Sequence, residues 1–223
     1  MSENVLVVAT HPDDETLGCG GVLLKHKNHG DKIYWLIMTN IHVENGWADE
    51  VVSQSQNEIA QVSKIYGFEK VVQLDFSTTM LDTVPYRDIV GKVSDIIQDI
   101  KPSVVYLPNQ SDIHTDHKVT FNAAISCCKS FRSPFIKRVL MYECLSETEF
   151  APALPGNAFL PNVFVDVSAH WQKKLGIFKI YGSEQMPSPL PRSLDAIEAL
   201  SRFRGSSIGV EFAEAFMLLK EKA

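Results

Sequence analysis

The segment His11-Pro12-Asp13-Asp14-Glu15 places one imidazole and three carboxylates directly behind the apolar run Val5-Leu6-Val7-Val8-Ala9. A strand that ends in such a cluster sets metal ligands and a proton acceptor where a parallel sheet opens to solvent. A second cluster, Asp112-Ile113-His114-Thr115-Asp116-His117, follows another apolar run, Val104-Val105-Tyr106-Leu107. Together, two imidazoles and one carboxylate suit a catalytic zinc site of three protein ligands plus water.

The set His11, Asp14 and His117 would hold a zinc ion and a water whose pKa is lowered to about 7, leaving Asp13 as general base. Adjacent side chains diverge in an irregular loop, so one of Asp13 and Asp14 can coordinate while the other faces the water. Spacing alone does not assign the two roles. His114 is placed to donate to an oxyanion or, as its imidazolium, to protonate a leaving amine. Asp116 is the carboxylate expected to orient one of the histidines beside it. The blander alternatives are that Asp13 or Asp14 caps a helix and that His114 and His117 are solvated loop residues. Two clusters at neighbouring strand ends weigh against both.

Gly18-Cys19-Gly20-Gly21 is an incomplete dinucleotide-binding loop, and the acidic segment before it occupies the place of a pyrophosphate. These glycines are read as close helix-to-strand packing. His26, His29, His42 and His170 have no carboxylate at ligand spacing and default to the surface.

The elements that must position the clusters alternate. Apolar strands near 4–10, 32–38, 70–74, 103–107 and 137–142 are separated by amphipathic stretches over 18–29, 50–66, 86–100 and 117–130. This alternation argues an α/β chain with a Rossmann-like three-layer αβα fold and a mostly parallel sheet. Right-handed crossovers and a 3-2-1-4-5 strand order make the first and fourth strands neighbours where the winding reverses, which brings the two clusters together. Beyond residue 145 a loop rich in Pro and small residues leads to a strand at 163–167 and helices near 169–181, 192–203 and 210–221. Pro187, Pro189 and Pro191 set the last two apart.

Size and charge narrow the partners. At 223 residues and 45% hydrophobic, the chain reads as one globular domain over 1–223. Its 21 basic and 27 acidic residues give a formal charge of −6 with no lysine or arginine run, which argues against nucleic acid and anionic membrane surfaces as partners. No apolar stretch reaches the roughly 18 to 20 residues of a membrane span, and no signal-peptide pattern opens the chain. A cytoplasmic protein acting on a small molecule is expected, with a homo-oligomer left open. Cys19, Cys127, Cys128 and Cys144 form no CxxC pair and are read as reduced thiols, mostly core. Cys19 is singled out because it lies just past the first cluster.

Ala9-Thr10-His11-Pro12-Asp13-Asp14-Glu15, paired with His114 to His117, resembles the signature of the PIG-L or LmbE-like family of metal-dependent sugar N-deacetylases. The similarity extends to Thr39-Asn40, Tyr142-Glu143, Pro161-Asn162, Arg202-Phe203-Arg204-Gly205 and Ala213-Glu214-Ala215-Phe216. The resemblance implies that His11, Asp14 and His117 bind zinc, that Asp13 is the base, and that His114 stabilises the tetrahedral intermediate. This chain departs from it at two positions. Ser55 stands where several members have an arginine that touches a polar part of the substrate, and Leu190 stands where some bacterial relatives have the histidine of Pro-His-Pro-Arg.

The expected reaction is hydrolysis of the acetyl amide of an N-acetylated amino sugar or glycoconjugate, giving acetate and a free amine. An amide of a sugar-thiol conjugate is the alternative substrate, and iron or another divalent metal the alternative to zinc. Two rival classes use the same residues. A non-haem iron oxygenase needs two histidines and one carboxylate, which leaves Asp13 and His114 surplus. A non-catalytic sugar-binding protein would keep a structural metal, normally closed by four protein ligands.

Overall fold

A computed structural model describes residues 2–222. Strands β1 (Asn4–Ala9), β2 (Lys32–Asn40), β3 (Lys70–Ser77), β4 (Val104–Pro108) and β5 (Arg138–Tyr142) are parallel. Two later strands, β6 (Val163–Asp166) and β7 (Ala213–Glu221), add antiparallel pairings beyond β5. The sheet order is β3-β2-β1-β4-β5-β7-β6, so the expected 3-2-1-4-5 order is present and extended at one edge.

Alternation along β1 divides the core. Val5, Val7 and Ala9 pack with α1 (Asp14–Asn28), α2 (Asp49–Tyr66), α5 (Trp171–Phe178) and α6 (Leu194–Ser206). Leu6 and Val8 pack on the opposite face with α3 (Tyr86–Ile100) and α4 (Thr115–Cys127). A strand buried on both faces reads as a continuous apolar run, which is why β1 shows no polar alternation. Among the described residues no helix is long and apolar enough to cross a membrane.

Three expectations are corrected. The segment expected as a helix over 210–221 is strand β7, whose Phe216 pairs with Tyr142 of β5 and Val163 of β6. Its apolar run is too short for periodicity to separate strand from helix, and the open edge of β5 decides the outcome. The first helix starts at Asp14 rather than near 18, with Asp14 and Glu15 in its first turn, where the helix dipole favours negative charge. His26 is not a surface histidine: its Nδ1 lies 2.7 Å from Asp31 Oδ2 and its Nε2 3.0 Å from the Tyr106 hydroxyl.

The glycines of α1 do permit close packing. A Cβ at Gly18 would lie 2.2 Å from Cδ2 of Tyr142, and one at Gly21 would lie 2.6 Å from Val167. A buried ion pair is spliced into this same helix. Lys174 Nζ donates to Glu214 Oε1 at 2.7 Å and to the Leu17 carbonyl at 2.9 Å. Glu214 in turn accepts the backbone N–H groups of Gly21 and Val22 at 2.7 and 2.8 Å. A side chain inserted into the helical ladder in this way takes over bonds that the helix would otherwise make with itself.

Removing Glu214 would leave the buried Lys174 without its carboxylate partner and take away the side-chain acceptor of the Gly21 and Val22 N–H groups. Breaking a buried pair from one side costs about 3–5 kcal/mol, so Glu214→Ala should lose stability on that scale in urea unfolding. A loss within the range of a surface substitution would show that the pair does not brace the helix.

Candidate active site

Strands β1 and β4 are hydrogen-bonded neighbours, with Val5 beside Val104 and Val7 beside Tyr106. The chain leaves β1 through a turn in which Asp13 has φ 125°, a conformation costly for a residue with a Cβ. Glu15 holds it there. One oxygen of Glu15 accepts the Asp13 N–H at 3.1 Å, and the other accepts from the Thr16 hydroxyl and, at 2.8 Å, from the Tyr181 hydroxyl. Burial pushes the Glu15 carboxyl up to about 7 against these hydrogen bonds.

The turn sends adjacent carboxylates in different directions. Asp14 reaches back, and its Oδ2 accepts from the backbone N–H groups of Thr10 and His11 at 2.9 and 2.8 Å. Asp13 makes no side-chain cap bond, which excludes the helix-capping alternative for it. Its Oδ2 is buried with no hydrogen-bond partner, 3.7 Å from Nη1 of Arg192.

From the end of β4, His117 enters with Nδ1 2.9 Å from Asp112 Oδ2 and Nε2 3.4 Å from Asp14 Oδ2. Asp112 therefore fixes the ring and leaves Nε2 facing the first cluster, buried and unpartnered. Ligand atoms of His11, Asp14 and His117 lie within 4.8 Å of one another, and the same holds for His11, His114 and Asp116. The donor chemistry favours the first set. The carboxylates do not separate the two sets, since Asp14 and Asp116 each accept hydrogen bonds at both oxygens; the histidines do, because Nε2 of His117 is buried without a partner whereas Nδ1 of His114 already accepts the Asp116 N–H at 3.1 Å.

Charge follows from these contacts. Burial raises the Asp13 carboxyl well above its ordinary value, with Asp14 and Glu184 adding to the effect and Arg192 opposing it. For Asp14, burial is outweighed by His117 and His11, which hold it low. Burial would lower His117, but Asp14 and Asp112 raise it to about 9. His114 goes the other way: burial, then His11, lower it to about 4. It is therefore neutral near pH 7, and with Nδ1 filled its proton sits on Nε2. Of the two roles expected of His114, hydrogen-bond donation to an oxyanion is the one that suits this neutral ring.

The structure brings His11, Asp13, Asp14, His114, Asp116 and His117 to one place but redistributes their roles. Asp116 anchors the loop at Thr79 and Leu81 and comes 3.5 Å from His11 Nε2; the carboxylate that orients His117 is Asp112. Cys19 is fully buried in the core, and the cysteine at the site is Cys144, whose thiol donates to Asp14 Oδ1 at 3.2 Å. Asp112 is visible in its cluster, five residues before His117. Glu147, which accepts the His114 N–H at 3.2 Å, and Arg192 lie on loops without periodic pattern. Asp13, His114, Glu147 and Arg192 line a cavity of about 610 Å³.

Residues 6–128 match the family described as GlcNAc-PI de-N-acetylase, PIG-L. The chain is 27% identical over 174 residues to an Escherichia coli K12 protein described as uncharacterized deacetylase YaiS, covering 76% of this chain and 84% of that one. It is 25% identical over 223 residues to diacetylchitobiose deacetylase of Thermococcus kodakarensis, covering 95% and 81%. The crystal structure of the conserved protein TT1542 from Thermus thermophilus superposes with a TM-score of 0.77 at 26% identity, covering 99% and 96%.

Two outcomes are expected for metal uptake. Asp112 holds Nδ1 of His117, and replacing a carboxylate in that position behind a metal-binding histidine typically costs 10- to 100-fold in affinity, so Asp112→Asn should weaken uptake of a divalent metal by about that factor in competition with a chelator. Because Asp14 and Asp112 favour the protonated ring of His117 in the metal-free site, metal binding near pH 7 should release protons, read as a buffer-dependent heat in calorimetry. Unchanged affinity in the variant, or heat independent of the buffer, would contradict this account of His117.

Proposed function

The chain belongs to the PIG-L, GlcNAc-PI de-N-acetylase, family, and from that membership we propose that it is a zinc-dependent hydrolase removing the acetyl group of an N-acetylated amino sugar or its conjugate. The observation that carries the reading is the buried carboxylate of Asp13, whose Oδ2 accepts no hydrogen bond, beside a group of three potential metal ligands. An oxygenase or a structural metal site has no use for that surplus base.

His11, Asp14 and His117 would hold the metal, which when bound supplies a Lewis acid and lowers the pKa of water toward about 7. The orphaned Nε2 of His117, 3.4 Å from Asp14 Oδ2, and the Nδ1 of His11, 4.0 Å from the same oxygen, support that fit. Asp13, with Oδ2 free and its carboxyl raised by burial, takes the proton of the attacking water as the new carbon–oxygen bond forms. It then returns that proton to the nitrogen as the carbon–nitrogen bond breaks, giving acetate and amine. His114 donates from Nε2 to the oxygen that gains charge. Arg192 lies close enough to temper the charge on Asp13. Asp116 acts through the loop it anchors and through His11.

Zinc-loaded protein should release acetate and free amine in equal amounts from N,N'-diacetylchitobiose or glycosides of N-acetylglucosamine; failure across that panel would remove the proposal. Alanine at His11, Asp14 or His117 should lower zinc content. Asp13→Asn should retain zinc and lose roughly 10² to 10⁴ in turnover. His114→Ala should lower kcat and kcat/KM together by about 10² to 10³ with zinc and KM kept. Loss of zinc in either of these last two variants would reassign the residue as a ligand.

A further inference from the structure

One wall of the cavity is the start of α2 and the residues just before it: Trp47, Val51, Ser55 and Glu58 all line it together with His11 and Asp13. Val51, Ser55 and Glu58 follow helical spacing, so a single face of α2 looks into the site. Trp47 is 44% exposed, whereas Trp35 and Trp171 are buried. Val51 beside it is 39% exposed. An indole left open on the wall of the cavity offers a rigid apolar face to a flat partner.

The charge of this cavity is one-sided. Asp13, Glu58, Glu147 and Glu184 are among its lining residues, and among the described residues that line it Arg192 is the one guanidinium, with no lysine. Arg192 is already committed, with Nη1 3.0 Å from Glu184 and 3.7 Å from Asp13. Among the described lining residues no lysine or arginine side chain is left free for a carboxylate or a phosphate on the linked group.

We infer that the group linked to the amino sugar is uncharged and has an apolar face, that it seats on Trp47 and Val51 at the head of α2, and that conjugates carrying phosphate or carboxylate there are discriminated against. The inference deepens the deacetylase reading and rests on it for turnover, but the subsite itself can be read by binding.

The test compares zinc-loaded protein on the phenyl glycoside of N-acetylglucosamine, on N,N'-diacetylchitobiose and on N-acetylglucosamine 1-phosphate. The two uncharged conjugates should exceed the phosphate in kcat/KM by about tenfold or more, and Trp47→Ala should lose about tenfold on them through KM with kcat kept, the scale of one good aromatic contact. Trp47→Phe should restore most of that loss, and Ser55→Arg should narrow the gap to the phosphate. A Trp47 effect on the phenyl glycoside alone identifies an apolar aglycone; one on chitobiose alone identifies a second sugar ring. Either supports the subsite. Preference for the phosphate, or a KM untouched by Trp47→Ala, would overturn it. Quenching of the fluorescence of Trp47 by either uncharged conjugate, absent in Trp47→Phe, separates the two readings. Quenching without hydrolysis sinks the activity and keeps the subsite; hydrolysis without quenching does the reverse, and absence of both overturns both.

Discussion

The chemistry of this protein depends on turning two neighbouring carboxylates apart. In regular helix or strand, Asp13 and Asp14 would have no means of sharing a small cavity without sharing one role. The positive φ of Asp13 breaks the regularity for a single residue. It lets Asp14 fold back onto the N–H groups of Thr10 and His11, while Asp13 keeps an oxygen free of partners. Such a backbone costs on the order of 1–3 kcal/mol. The buried Glu15 carboxylate and its hydroxyl partners Thr16 and Tyr181 offset it.

Everything around the turn keeps that geometry from relaxing. The parallel sheet brings the ends of β1 and β4 together because the winding reverses between them. Asp112 and Asp116 then divide the work at the β4 end: one locks a histidine ring, the other ties the loop of Thr79 and Leu81 to the head of α4. Arg192 spans Asp13 and Glu184, so a loop far along the chain contributes to the wall beside the base.

How much of this is legible in the sequence varies with the kind of interaction. The two clusters are readable because strand ends carry their polar residues at fixed places, and the apolar runs of β1 and β4 say which ends will meet. The division of roles between Asp112 and Asp116 is not readable, because it depends on ring orientation and on which backbone N–H groups the loop presents. The neutral state of His114 is hidden for a related reason: burial and the neighbouring His11 set it, and neither is local in sequence. Strand β7 reads as a helix because its apolar run suits either element, and the deciding fact is an unfilled sheet edge at β5. Cys144 and Arg192 lie on loops, where position follows from packing and not from pattern.

The ion pair threaded into α1 also orders events in time. Glu214 lies 193 positions beyond the Gly21 N–H it receives, and Lys174 lies 157 beyond the Leu17 carbonyl. On a ribosome, the helix that carries Asp14 would emerge early with its middle turn lacking both partners. Contacts this distant in sequence close late and slowly. A nascent chain could thus assemble β1 to β5 and already hold the two histidine clusters near one another, yet remain unbraced at α1 until β7 had been made and inserted. The same long reach that rigidifies the finished site makes it one of the last parts of the molecule to become rigid.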